Sequence, residues 1–299
     1  MVRDLCLGLL GFSGNYGIQD YDKLKEALSF ALRHYSLIDI STDYGIDYNL
    51  VEVLKNIDID NAKSHFIYKV GCNYTEAYDV NLLISQTRED LQFFGVNNID
   101  SIMFHRPSPS KLHSDMKFFR LIRSRFPEIP FGMCTNSKPL YCLYKKQMDI
   151  ELVQIALNPF DYADNISFLD VLDRDKVSVQ ARSILSSGLL SGKYDRKSIF
   201  IDNMRSRYHE KDASYKYNKR IDTASRVIKY IEDEYNMSPG DIPVFLYSVF
   251  EKIPNVKNVI RGGSSLAQIS NNLARIPIDS AGVNHFISMM ESDWGCEYV

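Results

Sequence analysis

The sequence predicts a (β/α)8 TIM barrel, an α/β fold in which eight parallel strands alternate with helices. Two observations along the 299 residues lead to this prediction. Eight short apolar runs alternate with stretches whose apolar residues recur at helical spacing. Within each run nearly every residue is apolar, rather than every second one, which is typical of parallel strands buried on both faces. Alternation repeated about eight times favours a closed barrel, and an open doubly wound sheet is the alternative.

The elements follow one another without a Pro/Gly/Ser-rich linker, so residues 1–299 are predicted to form a single domain. The predicted strands are Leu5–Leu10, Ser36–Ile40, His65–Val70, Asp100–Phe104, Phe131–Cys134, Leu152–Ile155, Val177–Gln180 and Val256–Ile260. The predicted helices are Asp20–His34, Asn49–Ile57, Asp79–Gly95, Ser114–Phe126, Ile166–Asp173, Asn218–Tyr235 and Ser265–Ala274. The third helix is the clearest, because Gly95 stands where a glycine would end it.

One segment after the seventh strand departs from this alternation. Residues 191–220 carry nine Lys/Arg and four Asp/Glu, a local charge of +5 in a chain whose net charge is −3. A loop this long is uncommon in a compact domain and is often functional. Because barrel active sites form at the carboxyl ends of the strands, we expect this inserted basic loop to border the site. A solvated surface insertion is the alternative.

Composition excludes several classes of protein. With 35 Lys/Arg against 38 Asp/Glu, the chain has no basic excess that would favour nucleic acid as a partner. No apolar run reaches the ~20 residues that span a bilayer, so no membrane association is predicted. Five scattered cysteines without a Cys-x-x-Cys pair indicate reduced thiols in a cytoplasmic protein, and the histidines show no metal-ligand spacing. Nothing in the sequence indicates an oligomeric state.

Familiar nucleotide-binding and hydrolase motifs are absent from the sequence. Gly8, Gly11 and Gly14 follow a Gly-x-x-Gly-x-x-Gly spacing, which is not that of a dinucleotide-binding Rossmann turn. There is no phosphate-binding P-loop and no Gly-x-Ser-x-Gly hydrolase motif. The chemistry is therefore sought in polar residues at the ends of the predicted strands.

Four polar side chains stand out at these strand ends, namely Asp39, Tyr44, Lys69 and His105. A charge inside a strand is costly unless it is paired, so Asp39 and Lys69 on adjacent strands are expected to neutralise each other. A nearby lysine lowers the pKa of a phenol, which would make Tyr44 a proton donor to a developing alkoxide. His105 can hold a carbonyl oxygen beside it. The alternative is a buried ion pair and a capped histidine without a catalytic role.

At these residues the sequence resembles the aldo-keto reductase family. Asp39 and Tyr44 match the family's Asp-x-x-x-x-Tyr-Gly signature. Lys69 matches its strand lysine, and His105 matches the histidine that follows an apolar strand. Similar stretches extend over most of the chain, from about Leu7 to Leu273. The resemblance implies an oxidoreductase barrel in which these four residues form the catalytic tetrad.

The resemblance also implies which residues bind a nicotinamide cofactor. Thr135, Asn136 and Gln154 are similar to the residues that hold the carboxamide. Arg182 stands where the family often stacks a tyrosine on the nicotinamide. The other residues expected in the cofactor site are Ser183, Leu185, Gly188, Arg205, Arg261, Gly262, Ser264, Gln268 and Asn272. Because a 2′-phosphate usually needs a cationic side chain, Arg261 and the basic loop favour NADPH, with NADH as the alternative.

The predicted function is the NAD(P)H-dependent reduction of an aldehyde or ketone, a sugar carbonyl among them, to an alcohol. Hydride would come from the nicotinamide and the proton from Tyr44. The expected partner is a small-molecule carbonyl substrate. Two alternatives stay open: a sugar or alcohol dehydrogenase that works in the oxidative direction, and a cofactor-binding redox-sensing protein with little turnover.

Overall fold

Eight parallel strands close into a barrel in the computed structural model of the chain. The structure describes residues 4–17, 20–45, 48–57, 64–71, 79–202, 204–209, 211–292 and 294. The strands are β1 Cys6–Gly8, β2 Leu37–Ser41, β3 His65–Val70, β4 Ile99–Phe104, β5 Phe131–Cys134, β6 Leu152–Ala156, β7 Ser178–Arg182 and β8 Val256–Gly262. They follow one another around the barrel in chain order, and β8 pairs with β1. This closure confirms the predicted (β/α)8 barrel and excludes the open sheet.

Helices connect successive strands. Their bounds are α1 Tyr21–His34, α2 Leu50–Lys55, α3 Val80–Phe94, α4 Leu112–Arg125, α5 Lys138–Lys145, α6 Tyr162–Arg174, α7 Lys211–Tyr235, α8 Ile242–Phe250, α9 Leu266–Asn271 and α10 Ser280–Ser292. Helix α3 begins after Asp79, whose carboxylate accepts hydrogen bonds from the backbone N–H groups of Asn81 and Leu82. It ends at Gly95, whose φ of +78° favours glycine.

Three helices, α5, α8 and α10, have no counterpart among the predicted elements. Helix α8 shows a physical reason for this. Eight of its nine residues are buried, so it is apolar on nearly every side and has no amphipathic period that sequence analysis can detect. A short apolar run of this kind cannot be told from a buried strand by periodicity alone.

Alternate strand residues fill the inside of the barrel. A buried cluster with one residue from each of seven strands marks this interior: Cys6, Leu37, Ile67, Met103, Cys134, Leu152 and Ile260. Because side chains alternate between the two faces of a strand, residues two positions later also point inward. Asp39, Lys69 and Gln154 occupy such positions, nearer the carboxyl ends of β2, β3 and β6. Barrel active sites form at this end.

The basic segment after β7 is folded rather than an open loop. Its last ten residues belong to α7, which begins at Lys211, so the predicted loop at 191–220 is shorter than expected. Aromatic rings hold the segment together. Tyr208 stacks on Tyr217 with ring centroids 5.2 Å apart, and Phe200 packs edge-on against Tyr217 at 5.7 Å. The first turns of α7 are strongly polar and lack the apolar spacing that predicts its later part.

The cysteines placed by the structure are free thiols, namely Cys6, Cys134 and Cys142. Cys72 and Cys296 lie outside the described residues. Among the helices that the structure describes, none combines the length and the apolar character needed to cross a membrane. The described His, Cys, Asp and Glu side chains form no group of three or more that could hold a metal ion.

Candidate active site

The four predicted catalytic side chains meet at the carboxyl end of the barrel. Asp39 lies in β2 and Lys69 in β3, and these two strands pair in parallel. Tyr44 follows three residues after the end of β2, and His105 follows β4 directly. The rings of Tyr44 and His105 stand nearly perpendicular, with centroids 5.6 Å apart. The structure therefore brings together all four residues whose chemistry and spacing predicted a site.

Lys69 is the centre of a buried chain of polar contacts. Its Nζ lies 2.5 Å from Asp39 Oδ1 and donates to the Tyr44 hydroxyl at 2.7 Å. The second oxygen of Asp39 accepts a hydrogen bond of 2.8 Å from Gln154 Nε2. Gln154 is 1% exposed, so it is as deeply buried as Asp39 and Lys69. A role for Gln154 toward the nicotinamide carboxamide stays a prediction.

Burial and neighbouring charges together set the pKa values of Tyr44 and Lys69. Burial raises the pKa of the Tyr44 hydroxyl well above its ordinary value, although the Lys69 ammonium acts in the opposite direction. Burial alone would lower the pKa of Lys69, but the charge of Asp39 and the contact with Tyr44 together raise that pKa. The expectation that Lys69 lowers the pKa of Tyr44 is therefore right for this one contact and wrong for the net shift. At neutral pH Tyr44 is a protonated phenol and Lys69 an ammonium.

His105 is held through one of its two ring nitrogens. Its Nδ1 lies 2.8 Å from Ser41 Oγ and 3.0 Å from Asp43 Oδ1. Burial lowers the pKa of the imidazole and the Lys69 ammonium adds to this effect, whereas Asp43 opposes it. His105 is therefore neutral at neutral pH. The sequence-based site omits Ser41 and Asp43, although Ser41 stands two residues after Asp39 and so shares its face of β2.

Thr135 and Asn136 follow β5 directly and therefore lie at the same end of the barrel. Thr135 Oγ1 accepts a hydrogen bond of 2.9 Å from the backbone N–H of Ser137. Asn136 bonds the end of β6 twice, because its Oδ1 accepts from the Ala156 N–H at 3.0 Å and its Nδ2 donates to the Ala156 carbonyl at 2.8 Å. Thr135 therefore shapes the turn after β5, and Asn136 ties this turn to the end of β6. A role for them toward the nicotinamide stays a prediction.

The turn after β7 has an unusual backbone. Arg182 ends this strand two residues after Gln180, whose side chain contacts Gln154 inside the barrel, so Arg182 faces the mouth. Leu185 packs partly buried against the core. Four residues of the turn have φ between +45° and +91°, namely Ser183, Ser186, Ser187 and Gly188. Positive φ at serine costs energy, and such strain is concentrated at ligand-binding sites.

Arg205, from the basic segment, lies beside this turn. Its guanidinium stands 5.2 Å from the ring centroid of Tyr16 and 5.0 Å from that of Tyr194, and it donates to the Asp202 carboxylate at 2.8 Å. A side chain at Gly188 would meet the ring of Tyr194 at 3.2 Å, so glycine is needed for this approach. The turn and the basic segment therefore form one packed unit at the mouth of the barrel.

The loop between β8 and α9 brings four of the predicted cofactor residues together. The N–H and the hydroxyl of Ser264 both donate to Gln268 Oε1, at 2.8 and 3.3 Å. Asn272 Nδ2 donates to the Gly262 carbonyl at 2.7 Å. These bonds give the loop a fixed shape at the carboxyl end of β8, beside the mouth of the barrel.

Arg261 does not lie with these residues, which disagrees with the expectation that it binds a 2′-phosphate. It follows the inward-facing Ile260, so its side chain points to the outer face of β8, where it is fully buried. Its guanidinium donates to Glu251 Oε1 at 2.6 Å, to the Ala274 carbonyl at 2.8 Å and to the Asn272 carbonyl. These partners neutralise the charge inside the protein. The structure therefore gives Arg261 a place beneath the loop rather than in the cofactor site.

Comparison with known proteins identifies the family. The sequence model of the aldo/keto reductase family matches residues 133–287, which is more than half of the 299 residues. The matched region contains the expected cofactor residues from Thr135 onward, and the tetrad precedes it. No curated protein sequence matches the chain.

Solved structures share the barrel. A glycerol dehydrogenase from Gluconobacter oxydans is 18% identical with a TM-score of 0.71, over 99% of this chain and 94% of its own. An aldo-keto reductase from Bacillus halodurans, in its holo form, is 15% identical with a TM-score of 0.71 and the same coverage. An aldo/keto reductase from Klebsiella pneumoniae, in complex with NADP and acetate, is 13% identical with a TM-score of 0.66, over 97% of this chain and 92% of its own. On the family match and the shared barrel, the chain belongs to the aldo/keto reductase family of NAD(P)H-dependent oxidoreductases.

Proposed function

We propose that the protein reduces the carbonyl group of an aldehyde or ketone to an alcohol, with NADPH as its cofactor. One observation carries this proposal. The buried hydroxyl of Tyr44 lies 2.7 Å from the Lys69 ammonium at the mouth of the barrel. A phenol in this position can give up its proton because the neighbouring cation stabilises the phenolate that forms.

Each member of the tetrad has its own task in the proposed reaction. Tyr44 donates its hydroxyl proton to the substrate oxygen as negative charge develops there. Lys69 stabilises the resulting phenolate, and Asp39, 2.5 Å from the ammonium, neutralises Lys69 so that it can stay buried. A bound nicotinamide supplies the hydride. His105 stands beside Tyr44 and contacts the substrate from the side.

The residues around the mouth fit a nicotinamide dinucleotide. The strained serines and Gly188 after β7 are typical of a backbone shaped for a ligand, and Arg182 adds positive charge on this side. The bonded loop after β8 offers Gly262 and Ser264 at the adjacent edge of the mouth. Because Arg261 is paired with Glu251, we assign recognition of a 2′-phosphate to the basic segment and not to Arg261.

The experiment that tests this function measures loss of NADPH and NADH absorbance with a panel of aldehydes, ketones and keto-sugars. We expect turnover by the wild type and almost none by Tyr44→Phe. Nucleotide extracted from the purified protein is identified in parallel. A protein that retains nucleotide but turns over no carbonyl would contradict the proposed reductase and support the redox-sensing alternative.

A further inference from the structure

Arg182 brings a positive charge to the mouth of the barrel without a carboxylate in contact with it. Its guanidinium donates a hydrogen bond of 3.2 Å to Ser183 Oγ, and it forms no ion pair with the residues that the structure describes. Lys69 differs in this respect, because Asp39 lies 2.5 Å from its ammonium. The pair of Lys69 and Asp39 is therefore close to neutral, whereas Arg182 keeps its charge.

The charge of Arg182 acts on the same part of the mouth as the tetrad. Arg182 at the end of β7 and Lys69 in β3 both face the inside of the barrel. Each of these two cations lowers the pKa of the Cys134 thiol at the end of β5, although burial raises that pKa overall to about 11. A nicotinamide that gives its hydride to a carbonyl beside Tyr44 must lie in this mouth. The charge of Arg182 therefore acts on the ring.

A buried carboxylate, Asp161, stands near Arg182 without touching it. Its Oδ2 accepts a hydrogen bond of 2.8 Å from Asn158 Nδ2, which also donates to the Ser183 carbonyl at 3.2 Å. Its Oδ1 is buried, accepts no hydrogen bond from the described residues, and lies 3.8 Å from Arg220 Nη2. Burial raises the pKa of this carboxyl, whereas the bond from Asn158 and the charges of Arg220 and Arg182 lower it. Asp161 therefore partly offsets the charge of Arg182.

We propose that Arg182 is a specificity-determining residue that makes the protein bind NADPH more tightly than NADP⁺, and that Asp161 moderates this preference. Loss of the hydride turns the neutral nicotinamide ring into a cation. A guanidinium nearby repels that cation and has little effect on the neutral ring, so the two forms of the cofactor differ in affinity. Such a protein releases the oxidised cofactor and takes up the reduced one, as repeated carbonyl reduction requires. This inference rests on the proposed function, because it needs a bound nicotinamide.

Equilibrium binding tests this preference without any turnover. Calorimetric titration gives the Kd of NADP⁺ and the Kd of NADPH, and we expect the ratio of the first to the second to exceed one in the wild type. In Arg182→Gln the ratio should fall about tenfold, as for the loss of one partly screened charge. In Asp161→Asn, which removes the moderating charge, it should rise about threefold. Opposite shifts identify a charge effect, since local damage would weaken both forms of the cofactor alike.

Two further variants serve as controls. Arg182→Lys keeps the charge and should keep the wild-type ratio, and so should Arg120→Gln, because Arg120 is exposed in α4 on the outside of the barrel. A wild-type ratio below one, an unchanged ratio in Arg182→Gln or a fall in Asp161→Asn would overturn this inference alone. A wild type that binds no nicotinamide nucleotide would overturn the proposed function, and this inference with it.

Discussion

Tyr44 and Lys69 share a hydrogen bond of 2.7 Å that is almost completely shielded from solvent, with both residues at most 5% exposed. This contact has two consequences of opposite sign. Burial keeps the proton on Tyr44 in the resting protein, whereas the ammonium stabilises the phenolate once the proton has left. The reduction of a carbonyl requires a donor that keeps its proton in the resting protein and whose phenolate is stabilised once the proton has been transferred.

Replacing Tyr44 by phenylalanine should remove the proton donor without removing the cofactor site. We expect kcat to fall by about 10²–10⁴-fold, the usual contribution of general acid catalysis, with nucleotide affinity nearly unchanged. Steady-state kinetics and a fluorescence titration of the cofactor measure the two quantities. Tyr215→Phe is the control, because that side chain is 76% exposed. Near-normal turnover of Tyr44→Phe would remove Tyr44 from this role.

Lys69 and Asp39 should differ in how their loss divides between activity and stability. Breaking a buried ion pair from one side costs ~3–5 kcal/mol because it leaves a charge without a partner. In Lys69→Met an apolar chain replaces the lysine stem, and Asp39 can take up a proton while keeping its bond to Gln154. In Asp39→Asn the ammonium stays buried without a charged partner. Because one variant removes the ammonium that stabilises the phenolate and the other removes its counter-ion, we expect both to lose activity.

The two variants are compared by urea unfolding and by kinetics. The free energy of unfolding should fall less in Lys69→Met than in Asp39→Asn. Activity of Lys69→Met at neutral pH would show that the ammonium is not needed to stabilise the phenolate. A greater loss of stability in Lys69→Met than in Asp39→Asn would show that Asp39 does not become protonated when its partner is removed.

The rate of reduction should change little with pH across the neutral range. Burial raises the pKa of Tyr44 above its ordinary value of about 10, so the phenol keeps its proton at all lower pH values. Burial lowers the pKa of His105, so the imidazole gains a second proton only below its ordinary value of about 6.5. We expect kcat/KM for the carbonyl to be flat from about pH 7 to about pH 9. A loss of activity with an apparent pKa near 8 would contradict a protonated Tyr44.

The barrel and the tetrad could be predicted from the sequence because their signals are local. Continuous apolar runs predict the strands, and the spacing of Asp39 and Tyr44 places both at one strand end. Helix α8 escapes prediction because nearly all of its residues are buried, which removes the amphipathic period. The contact between Asp43 and His105 joins residues 62 positions apart, and no local pattern reports it.

Arg261 shows a different limit, which concerns the direction of side chains. The resemblance places it in the cofactor site by its position along the chain. Side chains alternate between the two faces of a strand, so Arg261 faces outward because Ile260 faces inward. The hydrogen bond between Gln154 and Asp39 joins β6 to β2 across the barrel, and such a contact is known only from the closed fold.

Arg261 leads to the last prediction, because its guanidinium connects the end of α8 to the chain after α9. It is fully buried against Glu251, whose second oxygen lies 3.0 Å from Arg275 Nε. The same guanidinium donates to the Asn272 carbonyl, and Asn272 in turn bonds Gly262. Arg261 therefore supports the loop at the end of β8 without facing the mouth of the barrel.

We expect Arg261→Ala to reduce the free energy of unfolding by ~3–5 kcal/mol, since it leaves Glu251 buried with a weaker partner. Where the variant folds, NADPH and NADH should lose affinity by the same factor, because the change disturbs the loop and removes no contact to a 2′-phosphate. Arg275→Ala is the control. Its side chain is 31% exposed, so its loss should cost no more than ~1 kcal/mol. Urea unfolding and fluorescence titration of both cofactors measure these effects. A loss at least tenfold larger for NADPH than for NADH, about 1.4 kcal/mol, would restore Arg261 to the phosphate site.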